Sequence, residues 1–417
     1  MFVVQLVTII FVTTKIEGDL MRKNLVISLL LSVLLLLAAC GEDKASSSSP
    51  KEIIIGNIGA MSGTSAVNGK AQSQGIEMAV KEINANGGIL GAQVKVVTRD
   101  DEADPTKSKT FMEEIVDKEK ARFVIGPTNS TPAAASMAYL QENKVISMIP
   151  VATGTDLISK NNPYAFRIMP SNEIQAKALV KIAVEGNYQK IALVADTSAL
   201  GVDGIAVMEK TLKEYGVEPA VKVTYKSDDP DMTPIAQKIK EANADVALFW
   251  TLGADGAKIV RSLERIDYID NLQVIGYTGL AMPNFKELAG PGANNVSVVS
   301  MNNWAVEPNQ TELGPKYWAM YQKIMEEYGE YGKRDTNPTT VTSGYEAVYL
   351  LKWAIEKAGT TDTVEVKKVL ENDVAEFESV FVNEYAFSEE SHEGFPLSEL
   401  IMVKISEMFN GDLYIKN

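Results

Sequence analysis

The sequence predicts an α/β protein made of two doubly wound parallel-sheet lobes, and three observations carry that prediction. Short β-branched runs alternate with amphipathic helical stretches, the alternation restarts once after Phe166-Arg167, and the chain beyond residue 50 is long enough for two domains. Glu52 to Ile58 reads as the first strand, with Ile53-Ile54-Ile55 a run of the kind buried on both faces. Ile76, Ala79, Val80 and Ile83 fall at i, i+3, i+4 and i+7, one apolar helical face, and Asn86-Gly87-Gly88 stops that helix. Val94 to Val97 follows as a strand, Phe111 to Asp117 as part of a helix and Phe123 to Ile125 as the third strand. Pro132 then opens a helix, and Val145 to Ile149 is the fourth strand. In the second unit, strands are expected at Ile191–Ala195, Val221–Tyr225, Val246–Trp250 and Gln273–Ile275. Helices are expected at Gly204–Tyr215, Thr233–Ala242 and Ile259–Ile266.

The N-terminal region is of a different kind. From Met21, Arg22 and Lys23 supply a positive start, Leu25 to Leu37 an apolar middle, and Ala38-Ala39 a small-residue cleavage zone, which together read as a signal peptide over residues 21–39. That apolar run is shorter than the roughly 20 residues a membrane-spanning helix needs. Residues 1–20 read as an upstream extension with Met21 as the working start, and residues 40–50, with Ser46 to Ser49 and Pro50, as a flexible tether. Leu37-Ala38-Ala39-Cys40 resembles the lipobox of bacterial lipoproteins, which implies a diacylated Cys40 as the new N-terminus. The implied location is the outer face of the cytoplasmic membrane, the periplasmic side where there are two membranes. Cys40 is the only cysteine, so no intrachain disulfide competes for it.

Charge and composition exclude several functions. The net charge of −15 becomes −16 without residues 1–40, where Lys15, Arg22 and Lys23 outweigh Glu17 and Asp19 by one. A chain so acidic is a poor match for nucleic acid, which rewards clustered Lys and Arg. The one histidine, His392, lies in a polar stretch and is expected in an exposed loop, which leaves no His-based triad or metal cluster. Neither a Walker-type loop nor a dinucleotide fingerprint is present; Gly56, Gly59 and Gly63 after the first strand read instead as a loop passing close to something. Asp100-Asp101 and Asp228-Asp229 read as exposed turn carboxylates. The expectation is a non-enzyme without cofactor or metal.

A binding constellation remains. Gly126-Pro127-Thr128-Asn129-Ser130-Thr131-Pro132 runs from a strand end into a helix, whose first amides lack partners and whose dipole there is positive. Hydroxyls of Ser130 and Thr131 beside those amides make a carboxylate site, although either could instead cap its own helix. Val151-Ala152-Thr153 follows the neighbouring strand and brings a second hydroxyl. Both loops belong at the carboxyl ends of strands, where open α/β sheets bind ligands.

Taken in order, several motifs resemble the branched-chain amino-acid type of solute-binding protein of ABC transporters, over essentially all of residues 51–417. They are Ile58 to Gly63 with Gly69, the block Gly75–Gly91, Asp100-Asp101 with Asp104-Pro105, Ile125-Gly126-Pro127, Ile149-Pro150 with Ala152-Thr153, and Pro163-Tyr164-Ala165-Phe166-Arg167. Ala281 to Phe285 and Ser343 to Val348 complete the set. The resemblance implies a type I periplasmic-binding fold whose lobes close on a ligand, joined by three crossovers near Arg167–Ser171, Val296–Asn302 and Phe377–Asn383. It places residues 51–168 and 300–380 in lobe 1 and residues 169–299 and 381–417 in lobe 2. It puts the ligand carboxylate on Ser130, Val151 and Thr153, and it implies a permease as partner.

Against that pattern the chain departs at four positions. Asn68, Leu200 and Leu252 stand where amino-acid binders of the family carry aromatics, and Thr278 stands about where an acidic residue would hold the ligand ammonium. An unpaired buried ammonium is costly. Asp255 or Glu346 could substitute, although either reads more readily as an exposed or capping residue. The resulting expectation is a receptor for a small carboxylate-bearing solute, an amino acid or an amino-acid-like or amide compound. The alternative is a lipoprotein of the same fold that senses a ligand or regulates a partner.

Overall fold

The first strand, β1 (Glu52–Gly59), forms where its isoleucine run stands, and Ile53, Ile55 and Ile58 are buried. The computed structural model describes residues 52–63, 65–158, 162–227, 229–281, 284–301, 315–329, 337–409 and 413–414. The signal sequence, Cys40 and its tether, Asp228, Met282, Pro283 and Asn302 lie outside these residues. β1 pairs in parallel with β2 (Gln93–Asp100) on one side and β3 (Phe123–Ile125) on the other. β4 (Ile146–Ile149) and β5 (Ala165–Arg167) extend the sheet in the order β2-β1-β3-β4-β5. The connections are α1 (Ala66–Ala85), α2 (Pro105–Asp117) and α3 (Ser130–Glu142). α2 starts at a strong cap: Asp104 accepts from the amides of Thr106 at 2.7 Å and Lys107 at 2.9 Å, with Pro105 in the first helical position.

The second sheet repeats the plan. β6 (Ile191–Asp196), β7 (Val221–Tyr225), β8 (Val246–Trp250), β9 (Gln273–Gly276) and β10 (Val296–Met301) run parallel. β11 (Leu400–Lys404) adds an antiparallel edge, giving β7-β6-β8-β9-β10-β11. All five residues of β8 are buried, as expected of a parallel strand covered on both faces. Its principal helices are α4 (Asn172–Glu185), α5 (Ala199–Glu214), α6 (Thr233–Glu241) and α7 (Gly253–Arg265), with the short α8 (Phe285–Ala289) after β9.

After β10 the chain returns to the first lobe. Met320 and Ile324 of α9 (Pro315–Tyr328) and Val341 of α10 (Pro338–Ala358) share an apolar cluster with Ala71 and Met78 of α1. α11 (Thr363–Asn372) follows, and the chain then re-enters the second sheet as β11. The two lobes and their helices are therefore the predicted α/β architecture.

Helix starts are where the sequence pattern and the structure differ most. α5 begins at Ala199, ahead of the predicted Gly204, because the Ser198 hydroxyl accepts from the Gly201 amide and caps it there. α7 begins at Gly253, six residues before the predicted Ile259, since Gly253, Asp255, Gly256 and Ala257 bury small or polar side chains that carry no apolar period. α3 begins at Ser130, two residues before Pro132. Gly56 and Gly59 lie inside β1, so of the three glycines only Gly63 belongs to the loop beyond it.

His392 is the largest correction. It is buried, its ring stacked on Phe166 at 3.9 Å between centroids, with Nδ1 against the Ala165 carbonyl at 3.1 Å and Nε2 against Glu371 at 2.9 Å. Its partners stand far away in sequence, so the polar run around it gave no sign of burial. Asp101 is also buried, its Oδ1 accepting from the Ala103 amide at 3.0 Å, and burial raises its carboxyl above the ordinary range.

Candidate functional site

In the order β2-β1-β3-β4-β5 the strand sequence reverses between β1 and β3, and that crevice is where such sheets take ligands. The loops there are stitched together by short polar side chains. The Ala60 amide donates to Thr128 Oγ1 at 3.1 Å, the Thr128 hydroxyl to Asn129 Oδ1 at 3.2 Å, and Asn129 Nδ2 to Ser65 Oγ at 3.1 Å. Ser130 Oγ accepts from the Gly154 amide at 3.1 Å. Ser130 therefore ties two loops together, and the cap position of α3, Asn129, makes no side-chain cap bond. The positive end of α3 and the 151–154 loop thus converge at one place.

Not every predicted residue is drawn into this cluster. Thr131 is exposed, whereas Val151, Thr153 and Asn68 are half-buried. The Thr153 carbonyl accepts from the Asn172 amide at 2.7 Å, which fixes the loop to the start of α4. Beneath it, the buried Arg167 side chain donates to the Ala152 carbonyl at 3.2 Å and the Gly154 carbonyl at 2.8 Å. In the sequence Arg167 stands out as the end of a motif and the start of a crossover, with nothing to tie it to the 151–154 loop. A single arginine closing an apolar strand was the available signal.

The second lobe presents its own reversal between β6 and β8. Asp196 closes β6, buried, its Oδ1 accepting from the Ser198 amide at 2.8 Å. Trp250 closes β8 and stacks on Tyr277 at 4.2 Å between centroids. Burial first, then the nearby Asp255 and Asp196 carboxylates, raise the Tyr225 phenol above its usual range. Leu200 is half-buried and packs on the core of this lobe, whereas Leu252 is 49 % exposed. A further bond joins the lobes at the edge of the loop cluster: the Thr155 hydroxyl donates to Asp203 Oδ2 at 2.8 Å, and Asn172 Nδ2 donates to the same oxygen at 3.1 Å.

Thr278 and the two candidate ammonium partners, Asp255 and Glu346, are all engaged. The Thr278 amide and hydroxyl donate to Gln175 Oε1 at 3.2 and 2.6 Å. Asp255 is buried, contrary to the exposed reading; it accepts from the Ser227 hydroxyl at 3.0 Å and pairs with Lys258 at 3.0 Å. Glu346 is buried as well and takes the Ser379 hydroxyl, the Val380 amide at 3.2 Å and the Tyr385 hydroxyl at 3.1 Å. Burial outweighs these bonds and pushes its carboxyl up to about 7. Glu346 thus anchors the 379–385 segment.

Comparison with known proteins agrees with this construction. A sequence profile of periplasmic binding proteins matches residues 52–407. The Leu/Ile/Val-binding protein BraC3 of Rhizobium johnstonii is 27 % identical over 75 % of this chain and 82 % of its own. The leucine-, isoleucine-, valine-, threonine- and alanine-binding protein of Pseudomonas aeruginosa is 25 % identical over 76 % of this chain and 82 % of its own. Among solved structures, the branched-chain amino acid transporter substrate binding protein LivJ from Streptococcus pneumoniae, in complex with isoleucine, superposes with a TM-score of 0.68. It is 26 % identical and is matched over 87 % of this chain and 98 % of its own. A solute binding protein of an ABC transporter from Rhodopseudomonas palustris, in complex with p-hydroxybenzoic acid, shares the fold at a TM-score of 0.70 and 20 % identity, over 88 % of this chain and 96 % of its own. Two lobes of this topology, with a profile match over nearly the whole described region, make the chain a member of the periplasmic binding protein family.

Proposed function

We propose that this chain is the extracytoplasmic receptor of an ABC importer and binds a small carboxylate-bearing solute by hinged closure of its lobes. The observation that carries the reading is the meeting of the α3 N-terminus, Ser130 and the 151–154 loop at the first lobe's reversal point. The carboxylate would lie against Ser130, Thr153 and the backbone of Val151. Residues 51–168 with 300–380 would form one closing body and residues 169–299 with 381–417 the other, so that contacts from both bias closure.

The body of the solute is read from exposed aliphatic side chains at helix starts in both lobes. Val67, Val202 and Leu252 are 44, 62 and 49 % exposed and stand at the starts of the helices that follow β1, β6 and β8. Scattered exposed apolar residues are ordinary. Three at strand carboxyl ends suit an apolar ligand body fixed by a few polar groups. With Thr278 bonded to Gln175 and Asp255 paired with Lys258, the best match is an amino-acid-like or amide compound, or an acid without an ammonium.

Thermal-shift screening of the full chain tests this reading. Leucine, isoleucine, amino-acid amides, short peptides and 4-hydroxybenzoate should include a solute that raises Tm, since saturation at a hundred times Kd stabilises by about 2.7 kcal/mol. No shift with any class would overturn it. Ser130→Ala and Thr153→Ala are each expected to weaken binding of that solute by about 1–3 kcal/mol, the cost of unmade bonds to a charged group, measured by calorimetric titration. Unchanged affinity in both would remove the carboxylate from this loop pair. The lipid on Cys40 is part of the same proposal, because two or more acyl chains hold a receptor firmly beside its permease. Radiolabelled palmitate should enter the wild-type chain in cells and not Cys40→Ser; equal labelling would refute the anchor.

A further inference from the structure

We infer that Arg167 is a positioning residue for the carboxylate subsite, set by Glu393, and that it ties the ligand loop to the C-terminal segment that returns to the second sheet. The inference rests on the proposed site at the 151–154 loop. Arg167 closes β5, and its side chain is fully buried. Its two terminal nitrogens reach three acceptors: Nη1 the Ala152 carbonyl at 3.2 Å, and Nη2 both the Gly154 carbonyl at 2.8 Å and Glu393 Oε1 at 3.0 Å.

The carbonyls taken are those on either side of Thr153. The carbonyl of Thr153 itself accepts from the Asn172 amide at 2.7 Å. Three successive carbonyl oxygens, the negative ends of three peptide dipoles, are therefore held by donors and kept from an anion at this loop. A planar guanidinium suits the task, because its rigid fork reaches two carbonyls and a carboxylate from two separate nitrogens, whereas lysine carries all its donors on one. Its positive charge also lies directly under the loop.

Glu393 belongs to a segment bonded to the same strand. The Arg167 amide donates to the His392 carbonyl at 3.0 Å, and the Gly394 amide donates to the Arg167 carbonyl at 2.8 Å. Residue 168 then leaves the first sheet toward α4. One side chain thereby joins the ligand loop, the exit from the first sheet and the returning segment. A displacement of residues 392–394 would reach Thr153 through Arg167.

Hydrogen exchange in the full chain tests this without a ligand. In Arg167→Lys, the Gly154 amide, which donates to Ser130, should exchange at least tenfold faster relative to the amides of β4, and Glu393→Gln should shift it the same way by a smaller factor. Val145→Ala serves as the control, since Val145 is buried just before β4 in a core cluster that includes neither Arg167 nor residues 392–394; it should change loop and strand exchange in step. If Gly154 exchange follows β4 in Arg167→Lys and in Glu393→Gln as it does in the control, Arg167 is merely structural and the inference falls. A second arm uses isoleucine and 4-hydroxybenzoate, whose affinity should drop at least tenfold in Arg167→Lys although the charge is kept; retained affinity would also overturn the inference. If neither probe binds the wild-type chain, the proposed function loses support while the exchange result still decides the role of Arg167.

Discussion

Gly75→Ala is expected to destabilise the folded chain by about 3 kcal/mol, at the upper end of overpacking costs. A methyl group at Gly75 would stand 1.9 Å from the Val341 carbonyl oxygen and 2.7 Å from the Tyr345 nitrogen, both backbone atoms of α10. One at Gly344 would stand 2.4 Å from the Gln72 carbonyl oxygen of α1. The two helices therefore meet backbone to backbone through a glycine from each, and no side-chain rotation can relieve the clash. Alanine's better helix propensity, about 1 kcal/mol, works against the effect and does not cancel it. Urea unfolding of wild type and variant at equal m would measure the difference. A loss under 0.5 kcal/mol would mean that α1 and α10 can separate cheaply.

Glu346 gives the second large effect, through pH. Its folded-state value of about 7 lies above the ordinary 4.5 of a glutamate, so the folded chain keeps a proton that the unfolded chain loses. The stability this contributes is complete below about pH 4.5 and is lost as pH rises through about 7. At 1.36 kcal/mol per unit, the stability of wild type relative to Glu346→Gln should fall by roughly 2–3 kcal/mol between pH 5 and pH 8. Denaturant titrations of both proteins across that range measure it. His392, which burial holds below the usual histidine range, titrates in both proteins and cancels in the comparison. A flat difference would show that water reaches Glu346 and keeps it ionised.

The strands were legible because parallel strands covered on both faces are written as continuous apolar runs, as in Ile53–Ile55 and Val246–Trp250. The hydroxyl and glycine residues between β3 and α3 and after β4 marked the polar loop cluster at the first lobe's reversal, although Thr131 is exposed and lies outside it. What escaped was polar burial. Arg167, His392, Glu346 and Asp255 are enclosed by partners that no local period reports: Glu393 for Arg167, Phe166 and Glu371 for His392, Ser379 and Tyr385 for Glu346, Ser227 for Asp255. Three of the four lie on segments that pass between the sheets or pack against such a segment. A charged residue there reads as surface until the fold brings its partner.

The proposed recognition of a solute carboxylate at Ser130 and the 151–154 loop meets its most direct test in one calorimetric pair. The best solute from the screen and its primary carboxamide, identical but for the charge, would be titrated into the same preparation. The carboxylate is expected to bind at least tenfold more tightly, a difference of about 1.4 kcal/mol or more. Equal affinity for the two, or tighter binding of the carboxamide, would contradict it.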